Sequence, residues 1–237
     1  MSTSPSQRVV VTGASRGLGL EFVRQLLARG GRVVATCRRP ASADELAALA
    51  KMHPGQLQVL ALSVDDEASR QAFVQALAGM HDGLELLVNN AGVLERGERF
   101  GELRADVMAR TFATNVTGPM LLAQALAPLL ARGARPRVLN LGSKLGSIAS
   151  TASFGTPSYN ISKAALNMAG VLMAHAMNPM GIGVITASPG WVRTAMGGEG
   201  AELSADDSVR SLLTLVDDVP GLPAGVFLDR NGETLPW

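Results

Sequence analysis

The chain has 237 residues, of which 47% are hydrophobic, 17% charged and 4% aromatic. This length allows one large domain or two small ones, with a core that needs no cross-links, and the one cysteine, Cys37, excludes an intramolecular disulfide framework. Lysine and arginine total 21 against 20 acidic residues, a near balance that argues against electrostatic binding of nucleic acid.

Short β-branched segments alternate with longer segments of helical periodicity along the chain. In chain order the predicted elements are strand Arg8–Thr12, helix Leu18–Ala28, strand Arg32–Thr36, helix Ala43–Met52, strand Leu57–Leu62, helix Glu67–Gly79, strand Leu84–Val88, a long helix within Leu103–Leu130, strand Arg137–Leu141, helix Ser158–Met177, strand Ile182–Thr186, helix Asp206–Val216 and strand Gly225–Leu228. Near-continuous apolar strands separated by helices are typical of a parallel sheet covered on both faces. We therefore predict an α/β fold, a single doubly wound domain over residues 1–237.

The sequence gives no sign of a membrane segment or a metal site. A spanning helix needs about 20 apolar residues, and the best candidate, Gly118–Leu130, is interrupted by Gln124 and two prolines. The N-terminal segment Met1–Gln7 has no apolar signal core. The three histidines have no partners at metal-ligand spacing. We expect a cytoplasmic protein, and the single thiol agrees with a reducing compartment.

The first predicted strand runs directly into a glycine-rich turn, Thr12–Gly19, which opens a helix. Glycines at positions 13, 17 and 19 permit positive φ angles and close approach of the backbone to a ligand. The helix N-terminus offers unpaired N–H groups and a partial positive charge. In this strand–turn–helix context the turn predicts a pyrophosphate site, with a purely structural turn as the alternative.

The end of the second predicted strand bears on cofactor choice. An acidic residue there would bind the 2′-hydroxyl of a dinucleotide ribose, but Cys37 and Arg38 occupy this place and the next acid is Asp44. An arginine favours a 2′-phosphate, so the sequence predicts NADP (NADPH) over NAD. Arg16 in the glycine turn can add a second cation. The alternative is that Arg38 and Arg39 form a solvated strand end.

A tyrosine and a lysine open the predicted helix after the fifth strand. Tyr159 and Lys163 are spaced i,i+4, so their side chains lie on one helix face. A free phenol has a pKa near ~10, and a nearby cation is expected to lower it. The pair is therefore a candidate general acid/base unit. By spacing alone, an ordinary surface pair explains the two residues at least as well.

The combined order of motifs is more specific than any one of them. After the glycine turn come Asn89–Gly92 behind strand four, Thr114–Val116 in the long helix, Ser143 behind strand five, the Tyr159–Lys163 pair and Pro189–Thr194 behind strand six. Over about residues 7 to 237 this set resembles the short-chain dehydrogenase/reductase superfamily, which implies a Rossmann-type domain with a mostly parallel seven-stranded sheet and helices on both faces. Four segments resemble the branch of sniffer-type carbonyl reductases and the C-factor signalling protein: Ala35–Arg38, Ser143–Ile148, Ser162–Met168 and Leu235–Trp237.

The resemblance implies a catalytic set of four residues. Tyr159 is the expected acid/base, and Lys163 is expected to hold the nicotinamide ribose and lower the tyrosine pKa. Ser143 is expected to hydrogen-bond the reacting oxygen, and Asn115 to support Lys163 through water. Taken singly, Ser143 can also be a plain turn serine and Asn115 an interior polar residue; Gly142 departs from the paired serines common in the family.

The resemblance also implies the cofactor contacts. They are expected at Gly13, Ser15, Arg16, Gly17, Leu18, Gly19, Cys37, Arg38, Ser63, Val64, Asn89, Ala91, Gly92, Tyr159, Lys163, Pro189, Gly190, Val192 and Thr194. The family usually has an aspartate after strand three, where this chain has Ser63. We therefore expect adenine to be held by Ser63 and the Val64 backbone, without charge assistance.

The function predicted from these residues is that of an NADP-dependent oxidoreductase. It transfers hydride between nicotinamide and a small or medium organic carbonyl or alcohol, as a carbonyl reductase or alcohol dehydrogenase (EC 1.1.1.-). The main alternative is a nucleotide-binding signalling or regulatory protein of C-factor type with little turnover, and a purely structural dimer partner has little support. A homodimer is expected, with a tetramer left open. Residues 194–206 are expected to form a short, mobile substrate loop over an open pocket.

Overall fold

The computed structural model describes residues 7–237. Residues 1–6, which include most of the N-terminal segment and the start of the predicted domain, lie outside the described residues. The strands are β1 (Arg8–Val11), β2 (Arg32–Cys37), β3 (Leu57–Ala61), β4 (Leu86–Asn89), β5 (Arg137–Leu141), β6 (Gly183–Ser188) and β7 (Ala224–Asp229). The α-helices of the described chain are α1 (Gly17–Ala28), α2 (Asp44–Met52), α3 (Glu67–Ala78), α4 (Ala105–Phe112), α5 (Gly118–Leu130), α6 (Pro157–Met177) and α7 (Ala205–Asp218).

The seven strands form one sheet in the order β3-β2-β1-β4-β5-β6-β7, and each neighbouring pair is parallel. The strand order reverses beside β1, between the β1–β2–β3 half and the β4–β7 half. Ligands of open α/β sheets bind at such a switch point, beyond the carboxyl ends of the strands. The predicted fold class is confirmed, and the candidate motifs fall at this edge.

The alternating apolar residues of the strands build a core on each face of the sheet. In β1, Val9 and Val11 belong to the core cluster that includes Leu26 of α1 and Leu212 of α7. Val10 points to the opposite face, into the cluster that holds side chains from α3, α5 and α6. Because both faces are covered by helices, the strands are apolar throughout, as the sequence shows.

The predicted helix boundaries hold within a residue or two, whereas β4 and β6 differ from their predicted spans. Strand β4 begins at Leu86 rather than Leu84, and Glu85 instead accepts hydrogen bonds from Arg8 and from the Ala134 N–H. Strand β6 extends to Ser188, because Ser188 pairs with Asp229 of β7. The ends of strands are thus set by partners distant in sequence.

The predicted long helix is interrupted by a π-helical turn, Ala113–Thr117, between α4 and α5. Such turns recur at functional sites, because the extra residue redirects side chains and backbone carbonyls. Asn115 lies in the turn and is almost fully buried.

Within the described residues, no helix is both long and apolar enough to cross a membrane.

Candidate active site

The glycine turn between β1 and α1 has the geometry of an anion cradle. Gly13 and Gly17 adopt φ angles of +63° and +57°, which side chains rarely tolerate. A Cβ on Gly13 would lie 2.8 Å from the Ala91 Cα. Helix α1 starts at Gly17, and its N-terminus has no side-chain cap, so its first N–H groups are free for a ligand. Ser15 and Leu18 lie in this turn, both half-buried.

A residue outside the predicted contacts holds this turn in place. Asn90 Nδ2 donates to the carbonyl oxygens of Thr12 and Gly13, at 2.8 and 3.1 Å. In return, Thr12 Oγ1 accepts from the N–H groups of Asn90 and Ala91, both at 3.0 Å. The turns after β1 and β4 are therefore joined into one unit. The neighbouring Asn89 points into the core, where its Nδ2 donates 2.9 Å to Asn140 Oδ1.

The adenosine end of the cleft contains two exposed arginines. Arg16 and Arg38 are exposed, and neither forms an ion pair with another residue of the described chain. Cys37 is buried, and burial raises the pKa of its thiol. A raised pKa disfavours the reactive thiolate. Cys37 is therefore a buried packing residue at the end of β2.

The adenine contacts expected at Ser63 and Val64 are only partly available. The Ser63 N–H donates to Ser69 Oγ at 2.9 Å, and the Val64 carbonyl accepts from Arg70 at 2.7 Å. These two backbone groups are committed within the fold. The Ser63 hydroxyl donates to Asp65 Oδ1 at 2.8 Å and keeps its lone pairs free to accept. The Asp65 carboxylate thus lies beside Ser63.

The four candidate catalytic residues come together at the carboxyl edge of the sheet. Tyr159 and Lys163 lie on one face of α6, and the side chain of Ser143, after β5, interacts with Tyr159 and lowers the pKa of its phenol. Lys163 Nζ donates 2.6 Å to the Leu141 carbonyl and lies 5.4 Å from the centre of the Tyr159 ring. Asn115 reaches this group from the π-helical turn. The structure thus groups the residues that the sequence separated by up to 48 positions.

Asn115 acts on α6 through Ser162, a residue that the sequence analysis did not single out. Asn115 Nδ2 donates 3.0 Å to Ser162 Oγ, which in turn donates 2.7 Å to the Tyr159 carbonyl. Asn115 also exchanges two hydrogen bonds of 2.9 Å with the backbone of Val93. Its side chain therefore ties the loop after β4 to the catalytic turn of α6. Ser162 could have been noticed, since it directly precedes Lys163.

Burial dominates the electrostatics of the catalytic pair. Burial raises the pKa of Tyr159 and outweighs the hydrogen bond from Ser143, which lowers it. Burial also lowers the pKa of Lys163 to about 8. We predicted that Lys163 lowers the pKa of Tyr159, but in this structure the pKa is raised. A phenol with a raised pKa stays protonated at neutral pH, which suits a proton donor.

The segment after β6 lies over the glycine turn. Gly190 has a φ of +82°, and the Pro189 carbonyl accepts 2.7 Å from Ser208 Oγ. A Cβ on Gly17 would lie 3.5 Å from Thr194 Cγ2, so Thr194 borders the phosphate turn. Val192 pairs with Leu203 in an isolated bridge. These contacts place the Pro189–Thr194 segment beside the glycine turn.

Several contacts fix the loop that the sequence predicted to be mobile. Trp191 Nε1 donates 2.9 Å to the Gly197 carbonyl, and Arg96 Nη2 donates 2.6 Å to the Met196 carbonyl from across the cleft. Arg193 donates 3.0 Å to the Ala201 carbonyl. Trp191 nevertheless keeps 58% of its surface exposed. It is therefore available to a ligand, rather than simply packed in the core.

The loop after β4 closes another side of the cleft. The Glu98 carboxylate accepts hydrogen bonds from the Ser158 hydroxyl and, at 3.2 Å, from the Ser158 N–H. Phe100 packs edge-on against Phe154, with ring centres 5.7 Å apart. Glu98 thus caps the start of α6 from a distant loop. Sequence spacing gives no signal for this contact.

Within residues 7–237, no cluster of three or more histidine, cysteine or acidic side chains could hold a metal ion.

Comparison with known proteins identifies the family. Residues 7–203 match the short chain dehydrogenase family. The chain is 40% identical over 154 residues to the C-signal protein of Myxococcus xanthus, covering 65% of this chain and 93% of that one. Its fold is similar to an NADPH-bound carbonyl reductase from chicken fatty liver, with a TM-score of 0.93, 34% identity and coverage of 98% and 99%. It is also similar to the carbonyl reductase Sniffer of D. melanogaster, with a TM-score of 0.93, 31% identity and coverage of 98% and 100%. The chain therefore belongs to the short-chain dehydrogenase/reductase family and is an oxidoreductase.

Proposed function

We propose that this protein is an NADPH-dependent carbonyl reductase, or the corresponding alcohol dehydrogenase, acting on a small or medium organic carbonyl. The observation that carries the proposal is the buried Tyr159, which interacts with Ser143 and is adjacent to Lys163, at the edge of the sheet that also bears the glycine cradle. Two of the structures with a similar fold are carbonyl reductases, which supports the same reaction.

The residues present fit a dinucleotide cofactor. The uncapped N-terminus of α1 and the cradle that a Cβ on Gly13 would fill suit the pyrophosphate. When bound, the nicotinamide supplies the hydride. Lys163 would hold the nicotinamide ribose, and the Pro189–Thr194 segment would contact the nicotinamide. Arg38 and Arg16 are the cations available to a 2′-phosphate.

The chain's own groups can carry the proton side of the reaction. In the reducing direction Tyr159 Oη donates its proton to the carbonyl oxygen of the substrate, and Ser143 Oγ hydrogen-bonds the same oxygen. The Lys163 ammonium, 5.4 Å from the ring centre, attracts the phenolate that remains, although burial outweighs this attraction and keeps the pKa of the phenol raised. Because the pKa of Lys163 is about 8, its charge is present at neutral pH and is lost as the pH rises through that value. Carbonyl reduction should therefore decline above pH 8.

Replacing Arg38 tests the cofactor preference. Charge-assisted hydrogen bonds contribute about 1.5–3 kcal/mol, so we expect Arg38→Ala to raise the Kd of NADPH about 10- to 100-fold and to leave NADH binding nearly unchanged. Titration of both cofactors measures the ratio. Arg29→Ala is the matched control, since Arg29 is exposed at the far end of α1 and pairs with Asp217. If the ratio of the NADPH and NADH dissociation constants is unchanged in Arg38→Ala, either Arg16 alone sets the preference for NADPH or the predicted preference is wrong.

A signalling or regulatory function is the second candidate. It is supported by the identity to C-signal, which covers 65% of this chain. An assay of NADPH and NADH oxidation against quinones, aldehydes and ketones separates the two candidates. Oxidation of NADPH with any of these carbonyls supports the reductase. Tight NADPH binding without oxidation across the whole panel favours a regulatory protein.

We also propose that the chain forms a homodimer in the cytoplasm, through the long helix and the helix of Tyr159. Apolar side chains on the outer surfaces of these helices, including Phe112, Ile161, Met168 and Leu172, are exposed. Exposed apolar patches of this kind are typical of association surfaces. Light scattering measures the oligomeric state, and a monomer would contradict the proposal.

We further propose that residues 194–206 form the substrate loop. The exposed Trp191 ring, which donates to the Gly197 carbonyl of this loop, supports a role in contacting the carbonyl compound.

A further inference from the structure

The turn that carries Ser143 packs directly against the catalytic helix. At its end, Gly146 lies so close to α6 that a Cβ on it would be 2.7 Å from the Lys163 carbonyl carbon and 2.8 Å from Lys163 Cβ. On the other side, the Lys144 N–H donates 3.2 Å to Ser188 Oγ of β6. The turn is thus held between β6 and α6, and its position decides where the Ser143 hydroxyl lies.

Asn167 makes a side-chain hydrogen bond from α6 to this turn. It lies one helical turn after Lys163, on the face that also presents Tyr159, and it is 97% buried. Its Nδ2 donates 3.2 Å to the Gly146 carbonyl. Its Oδ1 has no hydrogen-bond partner among the described residues. A buried amide with one side unsatisfied is costly, so an apolar residue of similar size would serve packing at least as well.

We propose that Asn167 is a positioning residue, which fixes the turn bearing Ser143 against α6 and so keeps the Ser143 hydroxyl beside Tyr159. This inference rests on the proposed function. Asn167 reaches the turn three residues after Ser143, and Gly146 provides the close contact that makes the bond possible. Without the bond, the turn keeps its attachment to β6 and can move relative to Tyr159.

A shift of the turn that bears Ser143 would change the pH dependence of the reaction as well as its rate. The hydrogen bond from Ser143 opposes the effect of burial and lowers the pKa of Tyr159. If the turn shifts, this contribution is lost. The alcohol-oxidising reaction needs the phenolate, so its activity should then appear at a higher pH than in the wild type. A residue that serves only the stability of the fold would not move this pH profile.

The variant Asn167→Leu, which keeps the size of the side chain, separates positioning from stability. We expect it to unfold near the temperature of the wild type, because losing the donor to the Gly146 carbonyl offsets the removal of the unpaired Oδ1. NADPH binding should be unchanged and kcat about tenfold lower, the loss of one typical hydrogen bond. Asn178→Leu is the matched control. Asn178 also donates to a backbone carbonyl, that of Pro223 at 3.2 Å, and also has an unpartnered Oδ1, but it lies at the opposite end of α6.

A double-mutant cycle with Ser143→Ala decides the route by which Asn167 acts. We expect Asn167→Leu to have no further effect on kcat when Ser143 is already alanine. An equal loss in both backgrounds, or a wild-type kcat and pH profile in Asn167→Leu, would overturn the inference while leaving the proposed function intact. Full turnover in Ser143→Ala alone would instead contradict the catalytic assignment, and the two failures are therefore distinguishable.

Discussion

Replacing Tyr159 with phenylalanine is expected to lower kcat by about 10²- to 10⁴-fold, the usual contribution of a general acid. The substitution removes only the hydroxyl that donates the proton. The ring is nearly buried and stays packed, so the fold and the glycine cradle should be unaffected. NADPH binding should therefore remain close to that of the wild type. Steady-state kinetics on any carbonyl that the enzyme reduces, together with a cofactor titration, measures both quantities.

The control for this prediction is Ser143→Ala, which removes a hydrogen bond to the reacting oxygen but leaves the proton donor in place. We expect its loss of kcat to be smaller than that of Tyr159→Phe. Thermal unfolding of each variant checks that the fold is intact. Wild-type turnover in Tyr159→Phe would remove Tyr159 from the reaction. A loss of NADPH affinity large enough to account for the lower rate would assign it a binding role instead.

Replacing Lys163 with methionine should abolish most of the turnover and yet stabilise the protein at pH 7. Burial lowers the pKa of Lys163 from 10.5 to about 8, which corresponds to roughly 3 kcal/mol. Methionine is similar in length and carries no charge. It cannot donate to the Leu141 carbonyl, which offsets part of the gain by about 1 kcal/mol. The expected net increase in the free energy of unfolding is about 1–2 kcal/mol.

The pH dependence of this gain follows from the direction of the shift. Between pH 8 and 10.5 the unfolded chain binds a proton at Lys163 that the folded chain has released. The free energy of unfolding of the wild type therefore rises with pH across this window, and the advantage of the methionine variant shrinks. Below pH 8 the full penalty of the buried charge is present, and the advantage is largest.

Denaturant unfolding at several pH values measures this difference between Lys163→Met and the wild type. Lys51→Met is the matched control, because Lys51 is exposed on α2, away from the site, and should change neither stability nor turnover. Lys163→Met could instead be less stable than the wild type at pH 7, with the same difference in the free energy of unfolding at pH 10. That result would show that burying the Lys163 charge does not destabilise the fold.

The fold was predictable because its signals are local. Apolar runs such as Arg137–Leu141 and the helical periodicity of α6 identify elements within a few residues, and their alternation specifies a parallel sheet. The same holds for the side-by-side placement of Tyr159 and Lys163, since helix geometry alone fixes it. Strand ends were less predictable. The extension of β6 to Ser188 depends on Asp229, which lies 41 residues further along.

The supporting residues of the site could not be predicted, because their partners are distant in sequence. Asn90 stabilises a turn 77 residues away, Glu98 caps a helix 60 residues away and Asn167 bonds a turn 21 residues away. Spacing does not reveal such contacts. The raised pKa of Tyr159 has the same origin, since it depends on burial by the assembled fold rather than on the neighbouring lysine.

The most direct test of the proposed function follows the hydride itself. NADPH carrying deuterium at the transferable position of its nicotinamide is incubated with the wild-type protein and a panel of aldehydes, ketones and quinones, and the products are analysed by mass spectrometry. We predict deuterium on the carbon that bears the new hydroxyl of an alcohol product, formed about 10²- to 10⁴-fold more slowly by Tyr159→Phe under the same conditions. Tight binding of NADPH without transfer of deuterium to any carbonyl would contradict the account.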